Sequence, residues 1–164
     1  MPSLPTSMSA WIVNDYGSVE DLKRIDVAVP APAAGEVLIE VEAVSLNPLD
    51  LKILSGAMKQ FMPVQMPFTP GSDIVGHIVA FGSEVEGYSI GDRVVGLTFA
   101  HRGLARYAVA VPGGMLCKVP GDLPASELAA LPETGLTAIA ILGALGPVAG
   151  KTIAIVGATG GIGL

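Results

Sequence analysis

A glycine-rich segment near the end of the sequence carries the pattern best suited to phosphate chemistry. The apolar run 152–156 leads into Gly157, Ala158, Thr159, Gly160, Gly161, Ile162 and Gly163. A buried parallel strand that enters a helix through such a turn offers backbone N–H groups and a positive dipole end to a pyrophosphate. We therefore expect cofactor contacts from Gly157, Ala158, Gly160, Gly161, Ile162 and Gly163. In the G-x-G-x-x-G register Ala158 replaces the first glycine, so the motif alone also fits a turn without a cofactor.

Metal and thiol chemistry has few candidate residues. The chain has two histidines, His77 and His101, and a single cysteine, Cys117. His77 lies in an apolar run and His101 in a polar one, so we expect structural or solvent-facing imidazoles. One cysteine cannot make an internal disulfide or a multi-cysteine zinc site, which is typical of an intracellular protein. Cys117 is expected to be a small buried residue.

The composition bounds the class of protein. Of the 164 residues, 51% are hydrophobic and 15% are charged, which excludes a disordered chain. The net charge is −6 and no basic stripe is present, so nucleic acid is excluded as a partner. The uncharged stretch 134–150 is short and interrupted by glycines and Pro147. It does not predict a membrane span.

Short β-like runs separated by Gly, Pro and Asp dominate the first 120 residues. The runs 10–13, 23–29, 37–44, 73–81, 93–98 and 104–111 predict the strands of a small, mainly β barrel. A short helix over Pro48–Leu54 interrupts them, because Asn47 can cap a helix and Pro48 fits its first turn. The apolar loop 57–70 is expected either to pack on the core or to form the wall or lid of a pocket.

After Pro120 the short β-like runs give way to segments with helical patterns. Helices are predicted over 125–131 and 132–145, the second apolar all round and therefore expected to be buried. The run 152–156 lacks alternation, which favours a parallel strand covered on both faces. We divide the chain into a loose tail (1–8), a mainly β substrate domain (9–125) and the start of a nucleotide-binding domain (126–164).

Five motifs occur together in a characteristic order and spacing. They are Asn47-Pro48-Leu49-Asp50, Pro70-Gly71-Ser72-Asp73 with Gly76, Gly91-Asp92-Arg93-Val94, Gly135-Leu136-Thr137-Ala138, and the turn 157–163. In these the chain resembles the medium-chain dehydrogenases and reductases, most closely the zinc-independent quinone oxidoreductase branch, from about residue 10 onward. The resemblance implies a GroES-like barrel followed by the first helix, strand and turn of an incomplete α/β Rossmann domain, with NAD(P)H held between them.

The resemblance also allows zinc to be tested position by position. Relatives that use zinc carry a cysteine ligand where this chain has Asn47 and a histidine ligand where it has Ser72. The third ligand position falls at Glu133. An amide and a hydroxyl supply neither thiolate nor imidazole, and one carboxylate cannot hold the ion alone. We therefore expect no zinc.

Without a metal, the implied chemistry is hydride transfer from a reduced nicotinamide to an electron-poor carbon. The resemblance makes Asn47 the candidate catalytic and cofactor-facing residue and places Thr137 at the nicotinamide side. Asp50, Asp73 and Arg93 are expected to form ion pairs or stabilise turns. The branch favours NADPH over NADH, and implies a cytoplasmic protein that is a homodimer at full length.

Two departures from the family pattern bear on the substrate. Leu51 and Met58 stand where many quinone oxidoreductases carry tyrosines, and Arg106 stands where a glutamate is usual. An apolar pocket that accepts a small hydrophobic quinone, enone or aldehyde is therefore expected.

Three alternatives remain open at this stage. The chain is expected to be the N-terminal half of a dehydrogenase, binding cofactor weakly alone and self-associating through residues 132–164. An enoyl reductase acting on thioesters shares the same motifs. A non-catalytic GroES-like interaction module is the third reading, although the glycine turn argues against it.

Overall fold

The computed structural model describes residues 4–98, 102–113 and 115–164, so the prediction for His101 lies outside the described residues. The strands in these ranges are β1 Ser7–Ile12, β2 Lys23–Ala28, β3 Val37–Ser45, β4 Asp73–Phe81, β5 Arg93–Leu97, β6 Tyr107–Ala110 and β7 Leu116–Lys118. The helices are α1 Pro48–Leu54, α2 Ala125–Ala129 and α3 Pro132–Leu145, with a 3-10 turn at Val19–Asp21. None of the helices in the described ranges is long and apolar enough to cross a membrane.

Two antiparallel sheets form the β part. Strands β1 and β2 make a hairpin, and the larger sheet has the order β6-β3-β4-β5-β7. The hairpin joins the larger sheet beyond β6, where Trp11 N–H donates to the Leu104 carbonyl (2.9 Å) and Arg106 N–H donates to the Ser9 carbonyl (3.2 Å). The expected mainly β architecture is confirmed, although in the described residues the two sheets do not close into the expected barrel.

Side chains of the larger sheet alternate between two faces, and apolar residues pack against much of each face. One layer is built from Val37, Ile39, Ile74, Ile78, Val94, Ala108 and Leu116. The other contains Leu38, Tyr107 and Val109, packed with Met8 of the hairpin. Helix α2 covers a further part of the sheet, where Leu128 and Ala129 pack on Val75.

The apolar loop 57–70 packs on the core. Val13, Ile53, Leu54 and Phe68 form a buried cluster, and Met58, Met62, Val64 and Met66 of the loop lie partly buried against it. Residues 62–69 of the same loop also line a groove of about 610 Å³ that they share with β1 and β2. Core packing and a groove wall are thus both properties of this loop.

Two predictions for the last third of the chain are wrong. Helix α3 has the predicted bounds but is not buried, since Ile139 is 68% exposed and Leu142 and Leu145 are also exposed. Residues 152–156 form no strand. A β-strand needs a hydrogen-bonded neighbour, and the described residues provide none here. Both segments have the composition of covered elements, but nothing in the described chain covers them.

The expectation of a buried Cys117 is also wrong. Cys117 lies in β7, which is at the edge of the larger sheet and pairs with β5. Successive side chains of a strand point to opposite faces, and Leu116 takes the buried face. Cys117 therefore lies on the outer face and is exposed.

A glycine allows β3 and β4 to approach closely. Gly76 lies opposite Val41, and a Cβ atom at Gly76 would meet the Glu40 carbonyl oxygen and would lie 2.8 Å from Ile39 Cγ2. Those neighbours belong to the backbone and the buried core, so they cannot move aside cheaply.

We therefore predict that Gly76→Ala lowers the free energy of unfolding by at least about 2 kcal/mol, a cost typical of overpacking in a core. Gly121→Ala is the matched control, because a Cβ there meets no atom within 4 Å. Urea denaturation of both variants measures the difference. Equal stabilities would contradict the proposed steric conflict.

Candidate functional site

Motifs that lie apart in the sequence meet in space where β3 ends and β4 begins. The antiparallel register pairs Ser45, the last residue of β3, with Asp73, the first residue of β4. Helix α1 starts at Pro48, so Asn47 occupies the short connection between β3 and α1. Asn47 and Asp73 are thereby brought together across 26 residues of sequence.

Asp73 is the centre of a buried polar cluster. Its side chain is 0% exposed, and its Oδ2 accepts hydrogen bonds from Ser45 Oγ (3.0 Å), Asn47 Nδ2 (3.0 Å) and Glu133 N–H (3.3 Å). The donors come from β3, from the β3–α1 connection and from α3. Asp73 Oδ1 is buried without a hydrogen-bond partner among the described residues.

A second buried carboxylate, Asp50, holds the neighbouring loop. Asp50 Oδ2 accepts from Asn47 N–H (2.8 Å), and its Oδ1 accepts from Gly71 N–H (3.1 Å). Ser72 Oγ lies 3.5 Å from the same Oδ1. A carboxylate at the third position of a helix that bonds back to the cap residue stabilises the helix start. Asp50 therefore fixes α1 and the 70–73 loop in one arrangement.

Helix α3 enters the cluster with its first turn. Its cap residue, Leu131, has no side chain that can accept a hydrogen bond, and Pro132 has no N–H. Glu133 N–H is the next donor, and Asp73 accepts from it. One turn later Thr137 Oγ1 donates to the Glu133 carbonyl (2.6 Å). Thr137 is half-buried and lies on the helix whose first turn bonds to Asp73.

Burial and neighbouring carboxylates raise the pKa of Asp73 and the pKa of Glu133. Burial raises the pKa of Asp73 above its ordinary value, against the lowering effect of its hydrogen bonds, and the charge of Asp50 raises it further. The pKa of Glu133 is also raised, first by burial and then by the charges of Asp73 and Asp50. The cluster thus holds negative charge only at a free-energy cost.

The three positions at which the family resemblance places zinc ligands do converge. Asn47 and Glu133 both bond to Asp73, and Ser72 precedes Asp73 in the chain. Their donor atoms are an amide, a carboxylate and a hydroxyl. Zinc sites are built from thiolates, imidazoles and several carboxylates, so this donor set does not fit a catalytic zinc ion. Among the described residues no group of three or more His, Cys, Asp or Glu side chains could hold a metal.

The glycine turn is exposed and winds like the start of a helix. Gly160 N–H donates to the Gly157 carbonyl and Gly163 N–H to the Gly160 carbonyl, both at 2.9 Å. Gly157 has a φ of 81°, a conformation that suits glycine. A Cβ atom at Gly163 would meet the Gly157 carbonyl oxygen, whereas one at Gly161 would lie 3.3 Å from Thr134 Cγ2. The turn therefore lies against the first turn of α3.

Two arginines have structural partners. Arg93 forms the expected ion pair, with Glu42 (2.8 Å), and donates to the carbonyl of Leu123 (2.7 Å), which fastens the segment before α2 to β5. Arg106 pairs with Glu40 across the surface (2.9 Å). His77 lies 3.3 Å from Glu42, in keeping with a structural histidine.

Sequence reasoning overlooked Ser45 and gave Glu133 no role beyond a poor zinc ligand. Ser45 and Asn47 are two residues apart at the end of an alternating strand, which places their side chains on one side. That spacing could have indicated Ser45. The role of the Glu133 backbone could not be inferred, because it depends on the position of α3. Of the two positions expected to line the substrate pocket, Leu51 is exposed on α1 and Met58 is partly buried against the cluster of Val13, Ile53, Leu54 and Phe68.

Comparison with known proteins decides the family. The model of the alcohol dehydrogenase GroES-like domain matches residues 33–138, which include the β3–β4 pair and the Asp73 cluster. The chain belongs to this family. As an alcohol dehydrogenase GroES-like chain it is a member of the medium-chain dehydrogenase/reductase superfamily, and the resemblance seen in its motifs is confirmed.

The relatives of this GroES-like chain include oxidoreductases by name. It is 39% identical to the chloroplastic quinone-oxidoreductase QR1 of Triphysaria versicolor over 90% of this chain and 47% of that protein. It is 38% identical to the 2-methylene-furan-3-one reductase of Solanum lycopersicum over 98% of this chain and 43% of the relative. A mycobacterial quinone oxidoreductase structure matches with a TM-score of 0.81 and 34% identity, over 95% of this chain and 47% of that one. The chain spans about half the length of the curated relatives it matches.

The raised pKa of Asp73 predicts an unusual pH dependence of stability. Because the folded carboxyl holds its proton to a higher pH than the unfolded one, the folded state binds more protons in the interval above the ordinary pKa of 3.8. The contribution of Asp73 to stability therefore falls as pH rises through that interval. We predict that the stability of the wild type relative to Asp73→Asn decreases from about pH 4 towards neutrality, as measured by urea denaturation across pH.

Asp92→Asn is the matched control for this titration. Hydrogen bonds from Lys118 and from Ser89 N–H lower the pKa of Asp92, so its interval lies below 3.8. The stability difference between wild type and Asp92→Asn should stay flat above about pH 4. A flat Asp73→Asn difference over the same range would show that Asp73 is not perturbed as described.

Proposed function

We propose that the protein containing this chain is a zinc-independent, NADPH-dependent oxidoreductase that reduces a small hydrophobic quinone, enone or aldehyde. The observation that carries the proposal is that Asn47 and the Glu133 N–H both bond to Asp73, while Ser72 lies against the neighbouring Asp50 and Thr137 follows one helical turn away. These are the positions of the family's metal and nicotinamide sites. Here their donors suit hydrogen bonding to an organic ligand and not zinc coordination.

When bound, the reduced nicotinamide would supply the hydride. The residues of this chain supply placement and polar contacts. Asn47 is the proposed catalytic residue, since its amide is the polar group that the β3–α1 connection brings to the cluster. Thr137 is proposed to lie against the nicotinamide side of the cofactor, on a helix fastened to the same cluster. The Asn47 NH₂ group has two hydrogens, and the one that is not directed at Asp73 can donate to an oxygen on which negative charge develops. The Thr137 hydroxyl, whose hydrogen goes to the Glu133 carbonyl, can accept a hydrogen bond from the ligand.

The glycine turn is the proposed pyrophosphate site. Its exposed, helix-like winding and the tight contact that only a glycine at position 163 permits support cofactor contacts from Gly157, Ala158, Gly160, Gly161, Ile162 and Gly163. We assign residues 9–125 to the substrate domain and residues 126–164 to the start of the cofactor domain. Of the residues expected to form a loose tail, Ser7 and Met8 instead begin β1, and Met8 is buried. The exposure of α3 and of 152–156 agrees with a cofactor domain that continues beyond these elements.

The substrate class follows from the chemistry of hydride acceptance. Without a metal to polarise a carbonyl, the acceptor carbon must already be electron-poor, as in a quinone or at the β-carbon of an enone. Two relatives support this class through their names, one a quinone oxidoreductase and one a reductase of 2-methylene-furan-3-one, whose methylene is conjugated with a ketone. For the full-length protein we propose NADPH as the coenzyme, a homodimeric state and a cytoplasmic location.

Turnover by the full-length protein tests the proposal. We expect NADPH oxidation that depends on a quinone or an alkyl enone, and activity that survives dialysis against a zinc chelator. An enoyl thioester, offered at the same concentration, should be reduced at least about tenfold more slowly, a difference of about 1.4 kcal/mol in activation free energy.

The other outcomes identify the alternatives. Preferential turnover of the thioester would indicate an enoyl reductase of the same superfamily. Loss of activity on chelation would contradict the absence of zinc. No turnover of any of these substrates, together with no NADPH binding, would favour an interaction module.

A single methyl group tests the phosphate site. A Cβ atom at Gly160 would lie 3.4 Å from the Gly157 carbonyl oxygen, an ordinary contact, so Gly160→Ala leaves the turn itself intact. The same methyl group would stand where the backbone must approach a phosphate. We predict that Gly160→Ala raises the Kd for NADPH at least about tenfold in the full-length protein, measured by calorimetry. Gly143→Ala is the control, since a Cβ there meets no atom of the described residues within 4 Å. Equal affinities of the two variants would contradict the assignment.

A further inference from the structure

We propose that Asp73 is a positioning residue that sets the placement of Asn47 and Thr137 relative to each other. The inference rests on the proposed function for its catalytic meaning, while the placement itself is a property of the fold. It concerns a side chain for which the sequence predicts only turn or ion-pair chemistry.

The first step is the orientation of the Asn47 amide. A carboxylate can only accept hydrogen bonds, so it must face the NH₂ end of the amide and not the carbonyl end. The Nδ2–Oδ2 distance of 3.0 Å is that of such a bond. Asp73 therefore determines which end of Asn47 faces the cluster and which end is presented away from it.

The second step is the anchoring of α3. Leu131 cannot cap the helix, and Asp73 accepts from Glu133 N–H in its place. A carboxylate at a helix N-terminus also interacts favourably with the helix dipole. Thr137 hydrogen-bonds to the Glu133 carbonyl, so the same residue that Asp73 holds also holds Thr137. Both candidate nicotinamide contacts are thus linked through one oxygen atom.

The third step is the cost of the arrangement. Asp73 is 0% exposed, its Oδ1 has no partner within the described part of the chain, and the carboxylates of Asp50 and Glu133 are nearby. A buried carboxylate with an unpaired oxygen and two like charges as neighbours is a poor device for stability. An apolar residue at this position would avoid the like charges, but it would leave the three donors without an acceptor. We explain the presence of a carboxylate at this position by its Oδ2 atom, which fixes the positions of the three donors that bond to it.

The test is a double-mutant cycle in the full-length protein with Asp73→Asn, Asn47→Ala and the combination. Asp73→Asn should lower kcat at least about tenfold, because misplacing a contact costs up to about a hundredfold. In the Asn47→Ala background the same change should cost less than about threefold, since the part of its effect that acts through Asn47 is gone and only the part that acts through Thr137 remains. Asp73→Glu keeps the charge but moves the carboxylate oxygens, so it should give the same decrease in kcat. It replaces Asp73→Asn in the cycle if that variant does not fold. The control Asp92→Asn, an equivalent change in a surface ion pair, should leave kcat unaltered.

Two further readouts separate placement from a loss of folded protein. With NADPH deuterated at the transferred position, the kinetic isotope effect should rise in Asp73→Asn, because the hydride step becomes slower. A smaller folded fraction would leave it unchanged. In NMR spectra the side-chain amide signals of Asn47 and the methyl signal of Thr137 should both shift in Asp73→Asn and stay in place in Asp92→Asn.

The outcomes are distinguishable. Full additivity in the cycle, an unchanged isotope effect, or unmoved Asn47 and Thr137 signals would each overturn the role of Asp73. A wild-type protein without NADPH-dependent turnover would contradict the proposed function, and the NMR signals would then decide the placement by Asp73 on their own.

Discussion

The antiparallel pairing of β3 with β4 is the constraint on which the rest of the molecule depends. Its register places Ser45 opposite Asp73, so the chain that leaves β3 must pass the carboxylate at the start of β4. Asn47 and the first turn of α1 follow directly, and the first turn of α3 docks on the same oxygen. A shift of the register by one residue would turn Asp73 to the other face of the sheet and separate these elements.

Local sequence signals predicted those elements whose boundaries depend on their own residues. The bounds of Pro48–Leu54 and Pro132–Leu145 agree with the prediction, because a proline marks the first turn of each helix. The bounds of Asp73–Phe81 also agree, where a buried apolar run follows a turn. Strand β6 begins later than predicted, since residues 104–106 use their backbone groups to bond to β1 and to Pro70. No property of those three residues alone indicates such partners.

In the site, too, local sequence identified residues but not the contacts that depend on the fold. Asn47 could be identified as a candidate from a motif and its helix-capping position, but its contact with Asp73 requires the sheet register. The zinc argument needed the family resemblance to locate three positions and the residue types found there, whereas the role of the Glu133 N–H needed the docked position of α3. In the last third of the chain, apolar composition correctly indicates elements suited to burial. Whether they are buried depends on neighbouring strands and helices, and the described residues contain none in the required positions.

The glycine at position 76 has a consequence for how the sheet selects its alignment. With Gly76 opposite Val41, the two backbones approach so closely that a side chain there would strike the Glu40 carbonyl. A slip of β4 by two residues in either direction keeps the apolar alternation but brings Ile74 or Ile78 to this point. Hydrophobic patterning cannot reject these slipped pairings, whereas the steric conflict of a branched side chain can. The absence of a side chain at Gly76 therefore excludes the slipped registers. It thereby favours the strand alignment in which Asn47 contacts Asp73.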